Sequence, residues 1–273
     1  QSFVLDFGRE VFGYICFDID RAAAGETIDI SGFEYRDWYG AIQEMDGVNN
    51  GWGDIRREGR QHFGPYVCRG FRDVSVTVRH AHPVVIRHVG MYHSTYPVTR
   101  IGEFHSSDDT LNRIFEISER TTRLCMQDTF IDCPGHEQSF WIGDFRNEAL
   151  IAHYLYHADA IVENCHRVGL GAMATNPLPT SSLPSEPQGI MPTWALLWLM
   201  SYPELDFYYP SRGCEEYYDG MAACLEVFLD RICDDGLIRA EWNDMLDWAP
   251  LDIGAGCAAT HINAEVSLVL THF

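Results

Sequence analysis

The sequence predicts an antiparallel β-sandwich followed by an all-α domain of consecutive helices. Residues 1–100 contain short segments rich in β-branched and aromatic residues, separated by Gly, Asp and Pro, which is typical of strands joined by turns. After Arg100, apolar residues recur at helical spacing, and the connections between these runs are polar and rich in proline. We therefore predict a β-sandwich domain over residues 1–100 and a helical domain over residues 101–273.

The first domain contains four segments with the composition of strands. In residues 74–79, valines alternate with Ser, Thr and Arg, which is the period of a strand with one buried face. Residues 35–59 are rich in Asp, Gly and Asn, and predict a long loop or a partial hairpin. The predicted strands are residues 11–19, 27–33, 74–80 and 84–91.

The second domain begins with a clear helix-start signal. Ser106 and Asp108 supply an N-cap and an acidic first turn, and Leu111, Ile114 and Phe115 follow at helical spacing. Further helices are predicted at residues 141–157, 159–173, 194–200, 212–233 and 258–273.

Consecutive helices can form a bundle, a solenoid or an α/α barrel. The helical runs show no fixed repeat period, which argues against a simple solenoid. The chain starts at Gln1 rather than Met and stops inside an apolar helical run at residues 264–273. We therefore expect it to be truncated at both ends.

Composition narrows the class of partner. The formal net charge is −21, from 40 Asp and Glu against 19 Lys and Arg, and such a surface repels phosphate backbones and anionic lipid headgroups. We therefore expect no nucleic-acid partner and no membrane partner. Nine cysteines without a Cys-x-x-Cys pair indicate reduced thiols, which favours a cytoplasmic location. The most hydrophobic stretch, residues 191–200, is too short to span a bilayer.

The densest group of chemically useful side chains lies in residues 132–148. A Pro-Gly pair predicts a turn, so we expect Asp132 and Glu137 on a loop, and Trp141 and Asp144 at the start of the helix after it. Proteins bind sugars with carboxylates that accept hydroxyl protons beside an aromatic ring. A carboxyl partly desolvated by aromatic neighbours has the raised pKa that suits a general acid, and Glu137 is the candidate.

Each of these residues also has a structural interpretation. Asp144 could be a carboxylate that the helix start favours, and Trp141 could be a core anchor. Cys133 and His136 are potential metal ligands, but a tetrahedral site needs more ligands than this segment offers. We therefore predict no metal and no cofactor.

At this segment the sequence resembles the bacterial α-L-rhamnosidases of glycoside hydrolase family 78. That family has an Asp-Cys-Pro stretch, an acidic residue a few positions later, and a Trp-x-Gly-Asp sequence that opens a barrel helix. Asp132 begins the first of these here, Glu137 follows, and Trp141 to Asp144 match the third in order. Many members have an Arg-Asp-Glu-Arg piece and one more residue before the Glu, whereas this chain has Gly-His-Glu-Gln. Similarity extends to residues 5–13, 191–194 and 247–248.

The resemblance implies an inverting glycosidase that removes terminal α-L-rhamnose from a glycoside or an oligosaccharide. Glu137 would protonate the leaving glycosidic oxygen as general acid. The implied substrate-binding residues are Asp132, Asp144, Trp141, Trp194, Asp247 and Trp248, and their competitors are Trp198, Trp242 and Asp244.

The resemblance also implies that the helices form the N-terminal half of an (α/α)6 barrel. Inversion needs a second carboxylate roughly 6.5–9.5 Å from the acid, and the resemblance places this base beyond residue 273, ahead of Glu241, Asp244 and Asp247 within the chain. We therefore expect the isolated chain to be inactive. Half a barrel would expose an apolar seam, and the full-length protein is a candidate homo-oligomer.

Three other interpretations stay open. The chain could belong to another α/α-barrel glycosidase. It could be a non-catalytic carbohydrate-binding protein that uses Trp38, Tyr39 and Trp52 as a platform. A structural helical scaffold would explain the apolar helices but not the loop of carboxylates and tryptophan.

Overall fold

The computed structural model describes residues 1–42, 49–79, 82–174, 176–184, 189–210, 212, 215–238, 266–267 and 269–270. The chain divides into two compact units. The first, called the β unit here, contains Gln1–Thr95, Arg123–Gln127 and Cys133–Gln138. The second, called the helical unit, contains Tyr96–Thr122, Asp128–Asp132 and Ser139–Phe273.

The β unit is built on six antiparallel strands. The strands are β1 (Ser2–Arg21), β2 (Thr27–Phe33), β3 (Gly51–Ile55), β4 (Gln61–Phe63), β5 (Arg69–Arg79) and β6 (Val85–His93). Their order is β3-β2-β5-β1-β4, and β6 also pairs with β1.

The long strand β1 belongs to both layers of the sandwich. Its first half pairs with β5, from Ser2 to Gly13, and its second half pairs with β6, from Gly13 to Arg21. Side chains from both halves meet in one core, in which Ile15 and Phe17 of the second half lie with residues of β2 and β5. The predicted β-sandwich is confirmed.

The strand predictions were accurate where side chains alternate. Thr27–Phe33 is β2 with the predicted bounds, and Val74, Val76 and Val78 of β5 are buried while Arg79 is exposed. Strand β3 lies inside the insert at residues 35–59 and pairs with β2 as one side of a hairpin. The pattern did not predict β3 or β4, because both are short and poor in β-branched residues.

The helical unit contains five helices in the described part of the chain. They are α1 (Asp109–Leu124), α2 (Asp144–Leu155), α3 (Asp159–Ala172), α4 (Pro192–Tyr208) and α5 (Glu215–Leu229). The described part of this unit also contains four two-residue strands, which pair two by two. The sequence did not predict these strands. These are β7 (Thr99–Arg100) with β9 (Tyr156–His157), and β8 (Phe140–Trp141) with β10 (Ser182–Leu183).

Helix α4 forms the centre of the helical core. It packs against α2, α3 and α5, and its buried residues occupy every side of the helix, among them Leu196, Trp198 and Leu205. A helix that is apolar all round is buried on all sides. Nevertheless, no helix in the described ranges is long and apolar enough to cross a membrane.

The first helix differs from α4 because its apolar side chains remain at the surface. Leu111, Ile114 and Ile117 are each about half exposed. The predicted helix at residues 258–273 lies almost wholly outside the described residues.

Candidate functional site

Two of the predicted substrate-binding residues are joined by a hydrogen bond. Asp144 lies in the first turn of α2, and Trp194 lies in the first turn of α4. The indole Nε1 of Trp194 donates to Oδ2 of Asp144 at 2.9 Å. Since both side chains are only partly buried, the bond fixes a carboxylate beside an indole ring at a point that solvent can reach.

The glycine before Asp144 lets Trp194 approach. A Cβ atom added to Gly143 would collide with the Cγ and Cδ1 atoms of the Trp194 ring. Any other residue at this position would therefore displace the indole and break its hydrogen bond with Asp144. This explains the Gly of the Trp-x-Gly-Asp sequence by the space that the tryptophan needs.

Asp132 is held on the same unit by its partner Ser139. Its Oδ1 accepts the backbone N–H of Ser139 at 2.9 Å, and its own backbone N–H donates to the Ser139 carbonyl at 3.0 Å. These two bonds join the chain on either side of the segment Cys133–Gln138. The carboxylate therefore has a fixed orientation rather than the freedom of a loop side chain.

The sequence predicted that Trp141 begins a helix, and this prediction was wrong. Trp141 lies in β8 and pairs with Ser182 of β10, and the N–H of the next residue, Ile142, donates to the Ser181 carbonyl at 2.9 Å. Because this pairing satisfies the backbone in an extended form, the helix starts only at Asp144. Trp141 itself stays partly exposed.

Glu148 is the residue that the sequence analysis missed. It lies one helical turn after Asp144 on α2, so both carboxyls point to the same side of the helix. Burial raises the pKa of Glu148 well above its ordinary value of 4.5, and the charges of Asp144 and Asp132 raise it further. Asp132 and Asp144 thus lie close enough to Glu148 for their charges to raise its pKa, and these three residues are called the carboxylate cluster here.

The predicted general acid lies in a different environment. Glu137 is exposed, so the aromatic desolvation expected for it is absent. Its backbone N–H donates to Sγ of Cys133 at 3.2 Å, which closes a tight turn within Cys133–Gln138. Burial does raise the pKa of another carboxyl in residues 132–148, that of Glu148.

Of the competing residues, Trp198 lies in the described part of the chain. Trp198 is fully buried and packs against His166 and Gly169, so it is a core residue of the helical unit. The predicted residues Asp247 and Trp248, with their competitors Trp242 and Asp244, lie outside the described residues, as does Glu241.

Trp38, Tyr39 and Trp52, the aromatic platform of the binding-protein interpretation, lie in different environments. Trp52 packs edge-on against Phe71 in the sandwich core, with ring centroids 6.3 Å apart. Trp38 and Tyr39 are 100% and 95% exposed. The three rings therefore do not share one surface.

The described residues include no group of three or more His, Cys, Asp or Glu side chains that could hold a metal ion. Within the described ranges, no disulfide joins the seven cysteines.

Comparisons with known proteins agree on the family. Residues 99–271 match the model of the bacterial alpha-L-rhamnosidase 6 hairpin glycosidase domain. Among solved structures, the GH78 family rhamnosidase of Bacillus sp. GL1 is 35% identical, with a TM-score of 0.84 over 99% of this chain. No curated protein sequence matches.

Two more distant structures share the fold. The Klebsiella oxytoca rhamnosidase with rhamnose bound is 15% identical, with a TM-score of 0.77 over 100% of this chain. The Streptomyces avermitilis alpha-L-rhamnosidase complexed with L-rhamnose is 17% identical, with a TM-score of 0.77 over 99%. This chain spans 31% of the Bacillus structure, 61% of the Klebsiella structure and 27% of the Streptomyces structure.

The fold is thus that of a β-sandwich joined to part of a six-hairpin α/α glycosidase domain, as the sequence predicted. The family match covers more than half of the chain. The chain belongs to the bacterial α-L-rhamnosidase family.

Proposed function

We propose that this chain provides the sugar-binding side and the proton donor of an inverting α-L-rhamnosidase. The observation that carries the proposal is the bond between Asp144 and Trp194, which joins two motif residues that are 50 positions apart at an exposed edge of the helical core. The relatives solved with rhamnose or L-rhamnose support the choice of sugar.

In the binding step, Asp132 and Asp144 accept protons from the hydroxyls of the rhamnose ring. Both carboxylates are held by hydrogen bonds to Ser139 and Trp194, so little entropy is lost when the sugar arrives. Trp141 and Trp194 offer partly exposed apolar faces that suit the ring C–H groups and the methyl group of rhamnose.

Glu148 limits the charge of the carboxylate cluster. Three ionised carboxylates in one place would repel each other, and burial together with the charges of Asp144 and Asp132 raises the pKa of Glu148, which favours its protonated form. A neutral Glu148 is therefore unsuited to act as a general base, and it lets the other two carboxylates stay available to the sugar.

In the chemical step, Glu137 donates its proton to the glycosidic oxygen as the bond to the anomeric carbon breaks. A second carboxylate takes a proton from water, and the water oxygen bonds to the opposite face of the anomeric carbon, which inverts its configuration. We place this base outside the described residues.

The test uses the full-length protein, methyl α-L-rhamnoside, whose leaving group must be protonated, and NMR of the first-formed product anomer. Glu137→Gln should lower kcat by about 100- to 10,000-fold, the usual contribution of general acid catalysis. Glu116→Gln is the matched control, because Glu116 is an exposed glutamate of α1 that pairs only with Arg113 among the described residues. The wild type should release the inverted anomer.

Other results would point elsewhere. Release of the retained anomer would refute the inverting mechanism. Cleavage of a different glycoside instead of the rhamnoside would keep the fold assignment and refute the substrate. If no glycoside were cleaved but rhamnose still bound, the chain would belong to a carbohydrate-binding protein.

A further inference from the structure

The segment Cys133–Gln138, called the acid loop here because it carries Glu137, is attached to the end of the β-sandwich. Gly70 is the second residue of β5, and its backbone N–H donates to the Pro134 carbonyl at 2.8 Å. A Cβ atom on Gly70 would overlap with that carbonyl. The loop therefore lies directly against the strand end.

A side-chain bond fixes the far end of the acid loop. Nη1 of Arg69 donates to Oε1 of Gln138 at 2.7 Å, and Nε2 of Gln138 donates back to the Pro134 carbonyl. Gln138 has a φ of 54°, which is unusual for a residue other than glycine. Such a conformation is unfavourable for a residue with a side chain, and it persists when neighbouring groups hold it.

A carboxyl group supports the middle of the acid loop. Glu34 follows β2, and its carboxyl lies so close to Gly135 that a Cβ atom there would overlap with it. Burial raises the pKa of Glu34, while the charge of His136 opposes this shift. Three side chains or amides of the sandwich thus contact the loop on both sides of Glu137 along the chain.

We propose that the β-sandwich positions the proton donor, and that Arg69 is a positioning residue that acts through Gln138 on Glu137. This inference rests on the proposed function of Glu137. It gives the sandwich a part in the reaction in addition to its own stability, since a displacement of about 1 Å at a reacting group can cost on the order of 100-fold in rate.

Leaving groups of different acidity can isolate this role. A poor leaving group such as the methoxide of methyl α-L-rhamnoside must be protonated as it departs, whereas dinitrophenolate leaves without a proton. A misplaced proton donor therefore slows the methyl glycoside and spares the dinitrophenyl glycoside. General damage to the protein or to rhamnose binding slows both.

The experiment measures kcat and KM of the full-length protein for both rhamnosides. Arg69→Met should lower kcat for the methyl glycoside by about 10- to 100-fold, with KM and the dinitrophenyl rate near wild type. Arg69→Lys should restore part of the loss, because lysine can still donate to Oε1 of Gln138. Arg79→Met is the matched control, since Arg79 lies at the other end of β5 and pairs with Asp29.

Glu137→Gln separates this inference from the proposed function. If Glu137→Gln slows both rhamnosides equally, Glu137 is not the proton donor and the proposed function fails. If Glu137→Gln slows only the methyl glycoside while Arg69→Met leaves both rates unchanged, or lowers both alike, the positioning role is overturned.

A second variant keeps the test decisive if Arg69→Met does not fold. Gln138→Met preserves the length of the side chain and removes both of its hydrogen bonds, so it should show the same selective loss. A wild-type ratio of the two rates in Gln138→Met would overturn the proposal. Unfolding of both variants would assign the contact to stability alone and overturn it as well.

Discussion

The pKa values of ionisable side chains are shifted by different causes in the two units of the chain. In the β unit, several acids lie beside basic side chains, such as the exposed Asp6 with Arg72 and Asp18 with His62. Hydrogen bonds from these partners are the main cause that lowers the pKa of Asp6 and of Asp18. The core between the layers is apolar.

In the helical unit, burial is the main cause of the shifts. It lowers the pKa of His166 to about 3 and that of His153 to about 4, and it raises the pKa of Glu148. Both histidines lie among aromatic rings, such as those of Phe145 and Tyr208. This unit therefore keeps groups uncharged where water would charge them.

This difference between the two units indicates where buried ionisable groups lower the stability of the fold. Burying an ionisable group is unfavourable, and the helical unit does so at the carboxylate cluster. In the β unit, burial raises the pKa of the Glu34 carboxyl, which contacts the acid loop. Glu148 and Glu34 are thus two carboxyls affected by burial that lie beside residues to which we assign chemistry.

The strongest way to break this comparison is to titrate the buried histidines. The folded pKa of His166 is far below its ordinary 6.5, so the unfolded chain binds a proton that the folded chain refuses. Stability should fall as the pH drops below 6.5, by up to about 1.4 kcal/mol per pH unit for this residue.

His166→Gln should remove that part of the pH dependence. Urea unfolding of the full-length protein from neutral pH to about pH 5 gives the slope. Because Ser201 and Tyr217 contact His166, the variant will lose some stability at neutral pH, and only the slope is diagnostic. The exposed His105 provides the control His105→Gln. An unchanged slope in His166→Gln would show that burial does not keep this group neutral.

A smaller effect is expected at Glu148. Its folded pKa is raised, so its contribution to stability is complete below its ordinary 4.5 and is lost as the pH rises through the folded pKa. Glu148→Gln imitates the protonated form. It should therefore be the more stable protein at neutral pH, by about 2–4 °C in Tm for each 1 kcal/mol gained, and the gap should close toward acidic pH.

Calorimetry at several pH values checks this expectation, with Glu116→Gln as an exposed control. A gap that widens in acid would mean that Glu148 is ionised in the folded protein.

The smallest effect is expected in the β unit. Arg72→Met removes the partner of Asp6, but both side chains are nearly half exposed, so solvent screens the pair. Tm should decrease slightly at low salt, and the decrease should vanish at about 1 M salt, where screening is strong. A large, salt-independent loss would show that this surface pair stabilises the sandwich as a buried group would.

The sequence predicted those features that depend on local periodicity. The alternation of valines in β5 and the cap before α1 were visible within a few residues. Asp108 does accept the backbone N–H of Thr110 at the helix start, at 2.8 Å. Short strands such as β8 were not predictable, because their pairing with β10 depends on residues 40 positions away.

In the candidate site, too, the sequence predicted the features that depend on local patterns and not those that depend on long-range contacts. The motif order gave Asp132, Asp144 and Trp194, but the bond between Asp144 and Trp194 joins two helices and has no local signal. Glu148 did have a local signal, since it follows Asp144 by four residues and therefore lies on the same side of the helix. The sequence analysis overlooked Glu148 because a carboxyl on a helix is usually solvated. The contact of Arg69 with Gln138 spans 69 residues and required the structure.

Strand β1, which runs through both layers of the sandwich, couples them into one cooperative element. Opening either layer releases one half of this strand, so we expect it to weaken the backbone bonds of the other half. Amide protons at the two ends of β1, near Val4 and near Phe17, should then exchange with solvent at a common rate. The end of the sandwich that contacts the acid loop would keep its place until the whole element opens.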